Sequence, residues 1–398
     1  MTKTQILGLT GLLVAEAMNL LDSTIVQVVA PTIHRDLPGP IGQVQWFSNA
    51  YTLPFALLLI AGGRLGDLAG RRRVFRIGVA VFLAASLACA LAPTAGALIA
   101  FRVVQGAAAA AIIPQTIGLI KAMFAGAGVA RALGTIGPVM GLAAISGPML
   151  GGVLTESLSW RAAFLVNVPL SLAVRWLSRP IPEDRAPRRA GRPPLVEPSL
   201  FRQRAFPAAL ATSTLFFAVT TGLSLVVVLH SQLGEGHGVL AASLTLLPWT
   251  IGMGAASLVS GARLVARYGD RLMTAALAVL LAGVLGAVAA YHLASEVPLL
   301  LALAVAGAGV GLFTPAFFTG ALHVVGPHEV GSAAGLLNSV QQLGATLGVA
   351  ALGGIYLHGP HATAAAEHAF WAAGATIAVL LLSRAGLRAP AAGANSPA

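Results

Sequence analysis

Apolar and polar positions along this chain fall into long blocks. Apolar stretches of about 20 residues, the length that crosses a bilayer as a helix, alternate with short polar connections. Six such stretches lie at 6–31, 45–63, 75–93, 96–118, 133–155 and 161–178. Six more lie at 206–230, 240–262, 271–292, 297–320, 331–357 and 368–387. The sixth is the weakest, because it is short and carries Arg175 near its end. The pattern predicts an all-α polytopic membrane protein with about 12 spanning helices. A first run starting near Gln5 is too long for a signal-peptide core and has no convincing cleavage site, so it is expected to be a span.

The connections carry the charge. If the N-terminus is cytoplasmic, all but three of the 24 Lys and Arg fall at cytoplasmic connections, termini or helix ends; Arg35 and Arg161 lie outside and Arg102 within a span. The opposite orientation inverts that bias, so both termini are expected in the cytoplasm. A proline-containing basic stretch, 179–205, divides a bundle at 1–178 from a bundle at 206–390, and residues 391–398 form a disordered tail. The stretch reads as a cytoplasmic linker, and its arginines could also meet anionic lipid.

Composition supports the bilayer as solvent. The chain is 57% hydrophobic and 9% charged, against roughly 25% charged in soluble domains. The net charge of +11 could suggest nucleic acid, but its placement at connections marks topology, and no nucleic-acid partner is expected. The single cysteine, Cys89, lies in an apolar run and excludes an intrachain disulfide. No H-E-x-x-H zinc site and no serine-hydrolase context is present, so neither a metal nor an enzymatic activity is expected.

The sharpest motif joins the second and third spans: Gly62-Gly63-Arg64-Leu65-Gly66-Asp67-Leu68-Ala69-Gly70-Arg71-Arg72-Arg73. It resembles the G-x-x-x-D-x-x-G-R-R connection of the major facilitator superfamily of transporters, with Gly66, Asp67, Gly70, Arg71 and Arg72 in the matching positions. A weaker copy, Gly261-Ala262-Arg263-Leu264 and Gly269-Asp270-Arg271, follows at a constant offset with Ala266 where Asp67 would stand. The resemblance implies two pseudo-symmetric six-helix bundles with a substrate site between them. It also implies that the 62–73 connection is a conformational latch reaching the eleventh helix, with Arg131 as a candidate partner.

Carboxylates inside a bilayer are costly and mark function. The first span holds two, Glu16 and Asp22. At helical spacing Glu16, Asn19, Ser23 and Gln27 share a face that Asp22 borders. The run Leu21-Asp22-Ser23-Thr24-Ile25-Val26-Gln27 is similar to the first-helix motif of drug/proton antiporters, except that Gln27 stands for their usual Asn, which would reshape the cavity wall. Arg102-Val103-Val104-Gln105-Gly106 resembles the superfamily's R-x-x-Q-G motif, associated there with proton coupling. From span depth, Asp22 and Arg102 fall within about 5 Å of the same level, so Asp22, Arg102 and Glu16 are the proton-coupling candidates. Asn19, Ser23, Gln27, Gln105, Gln115, Asn338 and Gln341 are the candidate cavity residues; Trp249, Phe313, Phe317 and Phe318 are expected to pack the core, with an apolar pocket lining as the alternative.

Gly141, Gly147, Pro148, Gly151 and Gly152 on the fifth span look like the motif that separates exporters from uptake symporters in this superfamily. Phe164-Leu165-Val166-Asn167-Val168-Pro169 and Pro194–Phe201 resemble the signatures flanking the two extra central helices of the fourteen-helix multidrug exporters. No apolar run separates them here, so the central pair is missing. The resemblance implies a monomeric exporter of drugs, antibiotics or secondary metabolites in a bacterial cytoplasmic membrane. It would be surrounded by lipid and need no cofactor beyond the proton gradient. An uptake symporter and a non-transporting sensor are the alternatives.

Overall fold

A computed structural model describes residues 2–184, 197–202, 205–323, 325–326 and 329–388. Those residues form helices and connections only. In chain order the helices are α1 (Lys3–Asp36), α2 (Gln43–Ala69), α3 (Arg71–Ala90), α4 (Ala95–Met123), α5 (Ala127–Leu133), α6 (Ile136–Ser157), α7 (Ala162–Leu165) and α8 (Asn167–Leu177). They continue with α9 (Ala205–Leu229), α10 (Val239–Val259), α11 (Val265–Tyr268), α12 (Asp270–His292), α13 (Glu296–His323), α14 (Val330–Leu357) and α15 (Ala362–Arg388). Eleven of the described helical stretches are long and apolar enough to cross a membrane. The expected sixth span is instead the short broken pair α7–α8 over Ala162–Leu177. Pro169 explains the break: its ring would collide with the carbonyl of Leu165, and it donates no hydrogen bond. Placed in the first turn of α8, it starts a new helix at no such cost.

The expected linker 179–205 is described only in part. Residues 185–196 and 203–204 lie outside the described residues, as does the expected tail 391–398. The linker's visible ends clasp both halves. Residues 179–184 return to the start of α3, while Ser199 donates to the Glu329 carboxylate and the Glu197 amide donates to Ser332 Oγ on α14. Between Leu177 and Ala205 the chain is too short for two further spans of about 20 residues each.

The two halves repeat one packing plan. In the first, α2 packs on α4, α3 on α4, α1 on α6 and α3 on α8. In the second, α10 packs on α13, α12 on α13, α9 on α14 and α12 on α15. The turn glycines repeat too: Gly70 (φ 100°) and Gly269 (φ 48°) begin α3 and α12 in backbone that side chains rarely tolerate. Two close crossings are equivalent as well. Gly106 of α4 lies against the Tyr51 carbonyl of α2, and Gly307 of α13 lies against the Trp249 carbonyl of α10. Small residues let such backbones approach closely. Gly106→Val or Gly307→Val should therefore each destabilise the protein by about 1–3 kcal/mol or more. The check is the unfolding midpoint in detergent, with Gly137→Ala, which points into open space, as a neutral control.

The halves meet mainly at one end. Where α1 finishes, Gln27 Nε2 donates to the Thr221 carbonyl (3.1 Å) and to Ser224 Oγ (2.7 Å) of α9. Beside them Gln232 Nε2 donates to the Val28 carbonyl at 2.7 Å. At the same end the Thr52 and Thr346 hydroxyls bond at 2.8 Å across α2 and α14, and the Glu156 carboxylate accepts from the Leu240 amide. At the opposite end, where α1 begins, a side chain added at Gly137, Gly141, Gly331 or Gly335 would meet nothing. The molecule is sealed at the α1 C-terminal end and open at the other.

Candidate functional site

The centre of the first half contains a polar cluster with no access to solvent. Asp22 of α1 and Arg102 of α4 are both 0% exposed. Arg102 Nη1 donates to Asp22 Oδ2 at 2.5 Å and to Gln105 Oε1 at 2.8 Å, and its Nε donates to the Phe47 carbonyl at 3.0 Å. Asp22 Oδ1 accepts from Gln105 Nε2 at 2.8 Å and from Asn167 Nδ2 at 2.7 Å. Gln105 Nε2 also reaches Ser86 Oγ at 2.9 Å. The guanidinium lies over the Tyr51 ring, 4.4 Å from its centroid, and its Nη2 has no hydrogen-bond partner among the described residues. Every partner of Asp22 donates, which is the arrangement of a carboxylate that only accepts.

Five helices build this cluster. Helical spacing puts Arg102 and Gln105 on one face of α4, where α2 and α3 pack. The break before α8 delivers Asn167 from its first turn. The equivalent positions of the second half, read from the Gly106–Gly307 match, are Leu303 and Ala306, both fully buried and apolar. The charge chemistry therefore belongs to one half only.

Asn19 lies one turn before Asp22, but inside the α1–α2 contact: it accepts from the Tyr51 hydroxyl at 2.9 Å and donates to its own helix. Glu16 is buried, with Thr116 of α4 beside it and no ion pair among the described residues. Ser23 is half-buried and bonds back to the Leu20 carbonyl. Three more expected cavity residues sit elsewhere. Gln105 belongs to the charge cluster. Gln115 is 1% exposed and ties α4 to the Gly62 carbonyl of α2 at 2.8 Å. Gln27 is half-buried, and its amide spans the seal to α9. Trp249, Phe313 and Phe317 are buried, and Phe313 stacks on Phe216 (4.0 Å) and Phe317 (5.3 Å), so they pack the second half rather than line a pocket.

Asn338 and Gln341 do face the gap. On α14, Gly344 and Gly348 press on α9, Thr346 bonds to α2, and Leu347 points outward at 57% exposure. At about 100° per residue Asn338 lies opposite Leu347. It is exposed at the open end, with Gln341 half-buried beside it.

The glycines of α6 mark a three-helix junction. Gly147 and Gly151 lie against Thr24 and Ile25 of α1, while Gly152 lies against Leu240 and Ser243 of α10, in the other half. Pro148 is buried between them, and Gly141 faces open space. A helix touching both halves beside Asp22 is placed to feel movement of either.

The 62–73 connection is tied inside its own half. Asp67 Oδ1 accepts from Arg71 Nη2 at 2.9 Å and from Arg71 Nε at 3.1 Å. Arg71 Nη1 reaches Asp184 Oδ2 at 2.8 Å, and the Arg71 amide donates to the Asp184 carbonyl. Gly66 leaves room for Gln115 and Gly118 for the Arg71 side chain. The expected partner Arg131 is exposed and forms no ion pair among the described residues, and no described latch residue bonds to α14. The open end accounts for both: the halves are splayed where the latch would cross. Sequence reasoning does not single out Asn167, Tyr51, Ser86 or Asp184 as site residues. Asn167 alone carries a usable signal, as an amide in an apolar run.

Residues 12–349 match the sequence profile of the Major Facilitator Superfamily. The chain is 35% identical to a probable actinorhodin transporter of Streptomyces coelicolor, over 89% of this chain and 73% of that protein. It is 31% identical to the puromycin resistance protein pur8 of Streptomyces alboniger, over 87% and 80%. The actinorhodin alignment spans 427 positions, more than the 398 of this chain, so that relative carries residues with no counterpart here. Among solved structures, a bacterial homologue of the human lysosomal transporter Spinster, inward-facing and unoccupied, matches with a TM-score of 0.76. The match covers 97% of this chain and 96% of that one at 18% identity.

Proposed function

This chain belongs to the Major Facilitator Superfamily, and from that premise we propose that it exports small amphipathic compounds, such as antibiotics, in exchange for protons. It is a multi-pass membrane transporter. We place it in a bacterial cytoplasmic membrane with both termini inside, as a fourteen-helix exporter type without its central helix pair.

The observation that carries this reading is Asp22. It is a carboxylate buried in a span, held by Arg102, and two residues from Thr24, where α1 meets Gly147 of α6. In this conformation it is sealed from water, so it can exchange a proton only when the halves move. Arg102, Gln105 and Asn167 are the groups that would hold the charge and release the carboxyl for protonation. Inward proton movement supplies about 2.3 kcal/mol per 100 mV. The open gap, with Asn338 and Gln341 on one wall, offers amide hydrogen bonds beside apolar surface, which suits a compound with both characters. One relative is a probable actinorhodin transporter and another a puromycin resistance protein, which supports the substrate class.

The test is reconstitution in vesicles with an imposed proton gradient and a panel of lipophilic cations and neutral dyes. Efflux is expected from wild type and not from Asp22→Asn. Full gradient-driven efflux in the variant would remove Asp22 from the coupling role, and net uptake would reverse the direction proposed.

A further inference from the structure

A second polar feature lies on the outside of the first half, away from the charge cluster and the gap. At the α1 N-terminal end, α3 and α8 enclose a groove of about 410 Å³. Its rim holds Arg72, Arg73 and Arg76 from α3 and Arg175 from the last turn of α8. One carboxylate, Glu183, stands among them and already accepts from the Arg72 amide at 3.2 Å. Among the described residues Arg73, Arg76 and Arg175 form no ion pair, and Arg72 Nε is buried without a hydrogen-bond partner although its Nη2 donates to the Arg179 carbonyl. Guanidinium groups gathered in one groove without a counter-charge for most of them among the described residues call for an anion.

The walls say which kind. Along α3 the lining passes from Arg72, Arg73 and Arg76 to Ile77 and Ala80. At 1.5 Å per residue, Ala80 lies about 12 Å deeper than Arg72. On α8 the order is the same in reverse: Leu172, 54% exposed, lies deeper than Arg175, and Trp176, 58% exposed, lies at the charged level. An exposed tryptophan beside arginines at a helix end is the composition of a membrane–water boundary. A groove with a guanidinium rim, one apolar wall and an opening toward the bilayer is shaped for an amphiphile with a phosphate head. Free phosphate would use the rim and leave the wall without a purpose.

We propose that this groove binds the phosphate headgroup of an anionic membrane lipid, with an acyl chain lying along Ile77 and Ala80. Guanidinium groups suit phosphate because they donate in a planar fork. A bound headgroup would brace α3 against α8 next to the start of the linker, where Arg72 also holds the Arg179 carbonyl at 2.8 Å.

The experiment is native mass spectrometry of the full chain in detergent, titrated separately with cardiolipin, phosphatidylglycerol and phosphatidylcholine. Cardiolipin and phosphatidylglycerol should bind and phosphatidylcholine should not. Arg76→Gln with Arg175→Gln should weaken anionic-lipid binding about 30-fold, since each arginine near an anionic surface contributes about a factor of five. Arg263→Gln, in the second half, should leave binding intact and serves as the folded control. Equal binding of phosphatidylcholine, or unchanged anionic-lipid binding in the double variant, would overturn the proposal. Competition by millimolar inorganic phosphate with equal retention of all three lipids would show a free-anion site instead.

Discussion

Arg102→Met should be among the most damaging single changes in this protein, costing about 3–5 kcal/mol of stability. It leaves the Asp22 carboxylate buried at 0% exposure with only amide donors, and it leaves Gln105 Oε1 with the weak Cys89 thiol donor at 3.8 Å alone. Asp22→Asn is damaging for the converse reason, since the guanidinium keeps the Phe47 carbonyl and the Tyr51 ring but loses its counter-charge. The informative variant is the two together. Asn at position 22 can still accept from Gln105 and Asn167, and its own amide can donate to the freed Gln105 Oε1. A buried pair replaced by neutral groups is often no less stable than the original. The double variant should recover roughly 2 kcal/mol relative to Arg102→Met while gradient-driven efflux stays absent. Unfolding in detergent gives the first number and vesicle flux the second. A double variant as unstable as Arg102→Met would show that packing, not charge balance, makes the cluster costly to break.

That cluster is partly legible in the sequence. Asp22 and Arg102 announce themselves because charge inside an apolar span has few explanations, and helix depth puts them at one level. Asn167 does not, because its helix begins at a break. A periodicity argument cannot say where α8 starts relative to α1. The amides are the least legible residues. Gln105, Gln115, Gln27 and Asn338 are chemically alike, yet they lie in a charge cluster, a helix crossing, an inter-half seal and an open gap. Spacing along one helix tells which amides share a face, not which neighbour that face meets.

The repeat is legible for the opposite reason. Gly70 and Gly269 need positive φ, and a turn of that kind leaves a glycine in the sequence at a fixed offset. Close crossings such as Gly106 on Tyr51 leave glycines too, but only the fold says which of the chain's 46 glycines are crossings. The contacts of the latch are not legible in the motif, because the conformation decides them. The motif predicts a partner across the halves, whereas here the open end leaves Asp67 with Arg71 and, through it, Asp184.

The seal at the other end yields the second large effect. Gln27 and Gln232 together make four hydrogen bonds between α1 and the α9 end, two of them to backbone carbonyls. The longest, from Thr32 Oγ1 to Gln232 Oε1 at 3.4 Å, adds little. Removing the set with Gln27→Ala and Gln232→Ala should shift the balance between this conformation and one open at the α1 C-terminal end by roughly 2–4 kcal/mol. That is about 30- to 1,000-fold in population. Ser243, 1% exposed, lies beside Gly152 at this seal, and the only cysteine, Cys89, is buried, so Ser243→Cys gives a clean reporter. A membrane-impermeant thiol reagent should label it slowly in the otherwise native chain and faster by that factor in the double variant. Gln27→Asn should act in the same direction, because an amide one methylene shorter withdraws from both the Thr221 carbonyl and Ser224. An unchanged labelling rate would mean that apolar contact between α6 and α10, not the amide bridges, keeps this end closed. A rate that rises only in the Gln232 variant would place the seal on α9 and leave Gln27 free for the substrate.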